Sequence, residues 1–301
     1  QGMKIWLLLL PLVFLACTRE EPPLGSEKNP VKLFFVPSID ANFITEKAQN
    51  VKKYLEQETP YKFKISVPNS YIAVVEAFGT KRADISTLNT FSYILAYEKY
   101  GTQALLTSIR YGKPTYQGQI IARADSKVKT LRDIQGKKFA YVDPSSTSGY
   151  LLPKKLFIEN GVKPSETIFA QKHDNVVTMV YNKQVDAGAT YHTPIADGKI
   201  NDARKLVKTQ YPDVEDIVKI IFLTEPIPND HIVFRKDLPE EMKTIIADAF
   251  IKYVGTPSGK ETLNAIFSIT DLKKSTDKDY DEVRVMLKKL GETAEGMIKK
   301  H

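Results

Sequence analysis

"YIAVVEAFGTKRAD", residues 71–84, and "HDNVVTMVYNKQVD", residues 173–186, can be laid one on the other. Val74 and Val75 then fall on Val176 and Val177, Lys81 on Lys183, and Asp84 on Asp186. Each stretch reads as a short helix, a polar turn and an apolar strand, "ADISTL" in the first and "VDAGAT" in the second. Two such units about a hundred residues apart predict an α/β protein of two lobes built alike. Tyr71 and His173 become equivalent positions, each at the N-terminal edge of its helix. A helix N-terminus carries roughly half a positive charge, and ligands of open α/β sheets bind beyond the carboxyl ends of the strands. Both residues are therefore expected to face one cleft.

A third helix start belongs with them. "VDPSSTSGYLLPKKLFIENG", residues 142–161, places Ser145, Ser146, Thr147, Ser148 and Gly149 after a strand and ahead of a helix. Serine and threonine cap helices, and capping alone accounts for one such residue. The other reading is a convergence of hydroxyls and free backbone N–H groups on an anion. With three helix starts aimed at one cleft, the anion reading is preferred. Dipoles could neutralise much of such an anion, without requiring a salt bridge from Arg or Lys. Gly149 is expected to let the backbone come close.

Around these units, strands and helices alternate from Val31 onward. "VKLFFVPS" and "YKFKISVP" read as strands, and Asn42 to Glu58 as a helix with Ile44, Val51, Tyr54 and Leu55 on its apolar side. That grammar predicts largely parallel sheets. "GKPTYQGQIIARAD" and "IIFLTEPIPNDHIVFRKDLP" read as extended crossovers between lobes. The first lobe is then discontinuous, residues 31–117 plus 226–301, with 118–225 forming the second. Helices near Glu240–Tyr253 and Asp279–Lys300 are expected to pack on the first lobe.

The N-terminus sets the compartment. In "MKIWLLLLPLVFLAC" a lone charge precedes an apolar run from Ile5 to Ala16, too short for an ordinary membrane helix and matching a secretory h-region. Gln1 and Gly2 precede Met3 and look like a cloning scar. Phe14-Leu15-Ala16-Cys17 resembles a bacterial lipobox, although Leu is usual where Phe14 stands. It predicts cleavage before Cys17 and lipidation of its sulfur, giving a periplasmic or cell-surface lipoprotein. A plain signal peptide is the simpler alternative. Cys17 is the only cysteine, so no disulfide can form within the mature chain. Residues 18–30, "TREEPPLGSEKNP", suit a flexible tether.

Composition narrows the function. The chain has 301 residues, 42% hydrophobic and 26% charged, which is ordinary globular content. Its net charge of +7 comes from lysines and arginines scattered among acids, so no nucleic-acid partner is indicated. No G-x-S-x-G surrounds a serine. "GTPSGKET" at 255–262 is one residue short of P-loop spacing and follows a helix. His173, His192, His231 and His301 show no H-E-x-x-H spacing, so neither metal nor other cofactor is expected. What remains is a polar set without an activated nucleophile: Tyr71, Tyr116, Ser146, Thr147, Ser148, His173, Tyr191, His192 and Asp230, with Asn89 on a nearby loop. Each alone has a structural explanation, such as rim packing for a tyrosine or a turn for Asp230 in "PIPNDHI". Together they lie at strand ends or crossovers of both lobes.

"DPSSTSGYLLP", "HDNVVTMVYNKQVDAGATY" and "PIPNDHIVFRKDLP" resemble the substrate-binding proteins of phosphonate, phosphite and phosphate ABC transporters, the PhnD-like group. The resemblance runs from about Val31 to the C-terminal helices. It implies a type II periplasmic-binding-protein fold, two doubly wound α/β lobes joined by a two-strand hinge and closing on the ligand. It further implies that Tyr71, Tyr116, Ser146, Thr147, Ser148, His173 and Asp230 contact the anion. Some aminophosphonate-binding relatives carry an acid just after the strand matching "DAGAT"; here Tyr191-His192-Thr193-Pro194 has none. That departure favours a smaller or non-cationic oxyanion over one bearing an amine. The expected protein is therefore a monomeric, lipid-anchored, non-enzymatic solute-binding protein serving an ABC permease. Alternatives are a sensor presenting its closed form to a membrane receptor kinase, or a binder of another anion such as a sulfonate.

Overall fold

The computed structural model describes residues 21–289 and 296. The chain begins with β1 (Val31–Phe35), α1 (Ala41–Glu58), β2 (Phe63–Ser66), α2 (Tyr71–Gly79), β3 (Ile85–Leu88), α3 (Thr90–Tyr100) and β4 (Gln103–Ile109). A second run follows: β5 (Thr115–Arg123), β6 (Lys138–Tyr141), α4 (Leu152–Asn160), β7 (Glu166–Phe169), α5 (His173–Tyr181), β8 (Ala187–His192), α6 (Val214–Ile217) and β9 (Val218–Pro228). The last is β10 (His231–Phe234), α7 (Glu240–Gly255), α8 (Pro257–Phe267), β11 (Asp271–Lys274) and α9 (Asp281–Lys289).

Two sheets result, ordered β11-β4-β10-β3-β1-β2 and β7-β6-β8-β5-β9. Each contains a parallel trio, β2-β1-β3 in one and β7-β6-β8 in the other. The largely parallel sheets expected from sequence are instead mixed. β10 runs antiparallel to β3 and β4, β11 to β4, and β5 to both β8 and β9. The antiparallel partners are the strands reached through or after the two crossovers, where the chain reverses direction. Because β10 and β11 pair in the sheet begun by β1–β4, the chain passes between sheets twice, at residues 110–114 and 229–230. Asn229 is fully buried between these passages. Its side chain donates to Ser108 O at 2.9 Å and Lys113 O at 2.8 Å, and its N–H to Pro114 O at 3.0 Å.

The two matched units fold alike, for a reason legible in their residues. After α2 and α5 the chain turns through Lys81 (φ 55°) and Lys183 (φ 61°), both left-handed. The next N–H groups fold back onto the helix end, Arg82 to Ala77 O at 2.8 Å and Gln184 to Met179 O at 2.9 Å. These bonds satisfy carbonyls that a helix end otherwise leaves free. The matched aspartates then brace the central strand of each trio. Asp84 Oδ2 accepts from Lys32 N and Asp186 Oδ2 from Lys138 N, both at 2.8 Å. Val74, Val75, Val176 and Val177 are fully buried, so the shared valines face the cores.

In α1, Asp40 caps the start by accepting Phe43 N at 2.8 Å. Ile44, Ala48, Val51 and Leu55 recur at helical spacing and are buried beneath it. Tyr54 lies at the edge of that stripe, against Tyr253 at 4.7 Å between ring centroids. Residues expected to form a free tether are partly docked. Leu24 packs against the core, and Gly25 accepts Lys62 N at 2.7 Å within a turn closed by Ser26 and Asn29. Cys17 lies outside the described residues, as do most positions beyond Lys289. Among the described residues no helix is long and apolar enough to cross a membrane.

Candidate functional site

A cavity of about 50 Å³ lies between the sheets, lined from both by side chains that include Tyr71, Arg110, Tyr116, Ser148, His173 and Asp230. Three helix starts converge on it. Tyr71 opens α2, with Ser70 Oγ capping that helix by accepting Ala73 N at 3.3 Å. The phenol is buried, and its hydroxyl has no hydrogen-bond partner among the described residues. His173 opens α5 and packs edge-on against Tyr191, with centroids 4.9 Å apart. Its backbone N–H donates to Ser38 O in the other lobe at 3.1 Å, and its Nδ1 is buried without a partner. Burial, with the Arg110 charge adding to it, pushes His173 down to about 3, so the imidazole is neutral.

The serine-rich turn is the third start. Asp143 holds it from behind, Oδ1 accepting Ser145 N at 2.8 Å and its carbonyl accepting Ser146 N at 2.9 Å. Ser146 Oγ accepts Gly149 N at 3.1 Å, so its own proton remains available to a further acceptor. Residues 147–151 are wound wide, with Leu151 N reaching Ser146 O at 3.0 Å, before α4 takes over. Gly149 is needed here for a different reason than expected. A Cβ on it would lie 2.4 Å from Val142 Cγ2, so the close approach is to the residue after β6 and not to the cavity.

Of the sequence-predicted residues, the structure brings Tyr71, Asn89, Tyr116, Ser146, Ser148, His173, Tyr191 and Asp230 to the cavity wall. Thr147 and His192 are not on it. Thr147 Oγ1 accepts Phe91 N at 2.9 Å and donates to Asn89 Oδ1 at 2.7 Å, which joins the lobes beside the cavity. His192 is half-buried, its Nδ1 3.0 Å from Gln119 Oε1. Asn89 touches the cavity but spends its amide oxygen as the cap of α3, accepting Phe91 N at 3.1 Å and Ser92 N at 3.2 Å.

Two cations also stand at the wall, which dipoles alone did not anticipate. Arg110 follows β4 directly and is buried. Its Nη2 contacts Asp230 Oδ2 at 2.8 Å, its Nε donates to Phe267 O at 2.9 Å, and its guanidinium covers the Tyr116 ring at 4.8 Å. Lys205 comes from the second lobe, in the short helical turn Ala203–Val207, and donates to Ser268 Oγ at 2.8 Å. Burial, helped by the Arg110 charge, brings Lys205 down to about 8. Burial and the Asp230 charge raise the Tyr116 phenol, which remains a proton donor. Arg110 could be suspected from "TSIRYG", a charge ending an apolar strand at a crossover. Nothing in "NDARKLVK" singles out Lys205. The cavity can thus hold a small anion among hydroxyl donors, a neutral imidazole, two cations and one carboxylate.

Residues 33–280 match the family described as the periplasmic substrate-binding protein of the phosphonate ABC transporter. The phosphonates-binding periplasmic protein of Escherichia coli K12 is 29% identical over 238 residues, 74% of this chain and 68% of that one. A solved binding-protein component of an ABC phosphonate transporter from Pseudomonas aeruginosa superposes with a TM-score of 0.75 at 23% identity, covering 88% of this chain and 85% of that one. PhnD1 of Prochlorococcus marinus MIT 9301, solved with methylphosphonate, gives 0.73 at 18% identity, covering 87% and 98%. These structures share the two-lobed α/β fold of type II periplasmic binding proteins.

Proposed function

This chain belongs to the family of periplasmic substrate-binding proteins of phosphonate ABC transporters, and from that premise we propose that it captures a small phosphorus oxyanion between its lobes and delivers it to an ABC permease. The observation that carries this reading is the group of unsatisfied polar atoms in one cavity. Tyr71 Oη, Thr87 Oγ1 and His173 Nδ1 are buried there without partners among the described residues. An unpaired buried polar group costs about 1–3 kcal/mol, and an oxyanion with three or four acceptor oxygens offsets several at once. Ser146 and Ser148 add hydroxyls at a helix start, where an anion is also favoured by the dipole. Asp230 is the selective element: its carboxylate accepts a P–OH hydrogen bond and repels an oxyanion that has no proton to give. Phosphite, phosphate and alkylphosphonates fit both the chemistry and the small volume.

The protein acts by binding and release. Burial keeps the imidazole of His173 neutral, and its Nδ1 has no partner among the described residues. Calorimetric titration with phosphite, methylphosphonate, phosphate and sulfate tests the reading. At least one phosphorus oxyanion is expected to bind tightly and sulfate negligibly; no binding of any phosphorus ligand would refute it. Cys17 is proposed as the acylated first residue of the mature protein, anchored in the membrane by two or more acyl chains. Cys17→Ser should move the protein from the membrane to the soluble fraction of cells, and a wild type already soluble would overturn the anchor.

A further inference from the structure

Counting charges at the cavity wall isolates one of them. Arg110 and Asp230 are spent on each other at 2.8 Å. Lys205, half-buried, contacts Ser268 Oγ at 2.8 Å and forms no ion pair among the described residues. Asp202, its nearest acid in sequence, is held by Arg204 through contacts of 3.0 and 2.9 Å and also accepts Gln119 Nε2 at 3.2 Å. A partly desolvated ammonium with one neutral partner is costly unless a counter-charge arrives. The space beside it is the oxyanion cavity, which Lys205 itself lines.

We propose that Lys205 is the ligand's counter-charge, and that the site therefore takes its phosphorus oxyanion as a singly protonated monoanion, with the negative charge facing Lys205 and the P–OH facing Asp230. The inference rests on the phosphorus-oxyanion reading above and adds the charge state and the residue that selects it. With Arg110 and Asp230 paired, Lys205 and a monoanion close the site at zero net charge. A proton-free dianion leaves one negative charge in excess and gives Asp230 nothing to accept. Lys205 also contacts Ser268 of the first lobe from the second, so it meets the ligand and the far wall together only when the lobes are closed.

The charged and titratable groups around Lys205 are Arg110 after β4, Tyr116 in β5, Asp230 between β9 and β10, Tyr71 at the start of α2, His173 at the start of α5, Tyr191 in β8, and Asp202 paired with Arg204 on its own turn. His173 is neutral above about pH 3, and Tyr191 is raised by burial, so neither changes charge near neutrality. With the lobes closed and no anion beside it, burial brings Lys205 down to about 8. A bound monoanion holds it protonated, and a ligand that is a dianion in alkaline solution must gain its proton on binding.

Titration of the full-length protein with phosphite, in buffers of different ionisation enthalpy at pH 7 and pH 9, counts those protons. At pH 9, where free phosphite is the dianion, wild type is expected to take up about one proton, gained by the ligand; no uptake would mean a bound dianion and overturn the inference. Lys205→Arg should take up the same one proton, because it supplies the same charge to the ligand. At pH 7 Lys205→Gln should weaken phosphite by about 10–100-fold, the worth of a hydrogen bond to a charged group, while Lys205→Arg stays within a few-fold. Equal affinity and equal proton uptake in wild type and Lys205→Gln would overturn the inference and leave the proposed function standing. Lys205→Arg binding as weakly as Lys205→Gln would also overturn it, since Lys205 would then act only as a contact to Ser268. If wild type binds no phosphorus oxyanion, both readings fail. Should Lys205→Gln not fold, wild type and Lys205→Arg alone decide the proton count.

Discussion

Replacing Asp230 by asparagine keeps the shape of the site and removes one negative charge, so its consequences for two ligands can be worked out separately. In the structure Asp230 Oδ2 contacts Arg110 Nη2 at 2.8 Å, and Oδ1 has no partner among the described residues. A singly protonated phosphite or phosphonate can give Oδ1 its P–OH, a charge-assisted bond contributing about 1.5–3 kcal/mol. Losing it should weaken that ligand by roughly 10–150-fold. Sulfate responds in the opposite direction. A carboxylate about 4 Å from a like charge costs on the order of 4 kcal/mol per pair of unit charges at an effective dielectric near 20, and asparagine removes that repulsion. It also frees the Arg110 guanidinium to face the anion. The ratio of affinities, phosphite over sulfate, should therefore fall by at least about two orders of magnitude. Unliganded Asp230→Asn should melt lower, because Arg110 is left buried without its partner. The cost stays below the roughly 3–5 kcal/mol of a fully buried pair, since the Asp230 side chain keeps 19% exposure. Calorimetry of wild type and variant with phosphite, methylphosphonate, phosphate and sulfate at matched ionic strength reads both effects. The reasoning is refuted if wild type binds sulfate as well as its best phosphorus ligand, or if the substitution leaves the ratio unchanged.

Thr147→Val removes a hydroxyl that accepts Phe91 N and donates to Asn89 across the seam. It should shift the protein toward the open state and lower affinity about 10-fold or more, seen mainly in the dissociation rate by stopped flow; unchanged kinetics would count against the seam. Small-angle scattering of wild type should show compaction on adding saturating phosphite, as expected of closing lobes, and an unchanged profile would contradict closure. Stability should fall with acid. His173 and His231 are both pushed down to about 3 by burial, with Arg110 contributing. The unfolded chain binds more protons than the folded one between about pH 6.5 and those lower values, so stability is full above that window and is lost as pH falls through it. Each histidine adds at most about 1.4 kcal/mol per pH unit. His231 packs on Tyr280 at 4.3 Å between centroids, with Tyr93 beyond Tyr280 at 6.4 Å from His231, so His231→Phe fits the cluster and should remove about half of the slope these two histidines contribute in urea unfolding at pH 7.5, 6 and 5. An identical slope would exclude His231 as a source.

The residues by themselves determined the parts of this protein that depend on local bonding. Val74, Val75, Lys81 and Asp84, with their counterparts 102 positions later, specify a helix face, a left-handed turn and a brace on the next strand. The helix face and the turn are made within a few residues, and the brace reaches the neighbouring strand 52 and 48 residues earlier in the chain. The local part is why the two units could be read and why Tyr71 and His173 were found at their helix starts. The serine turn was legible for the same reason, though not the facing of its members. Ser146, Thr147 and Ser148 are consecutive at the start of a helical turn, so they cannot all point one way, and Thr147 is the one turned to the seam. Strand alternation separates Tyr191 from His192 in β8 in the same manner: neighbours point to opposite faces, and only one can line the cavity. Which neighbour faces inward depends on the packing of the second lobe against the first. Arg110 could be suspected at the end of its strand but not paired, and Lys205 was beyond local reading altogether. Arg110 finds Asp230 120 residues away because Asn229 clamps the two crossings, and Lys205 finds Ser268 only across the closed cleft. The charge of the site is thus a property of lobes brought together, because a charge is placed by whatever desolvates and faces it, and those groups lie far apart in the chain.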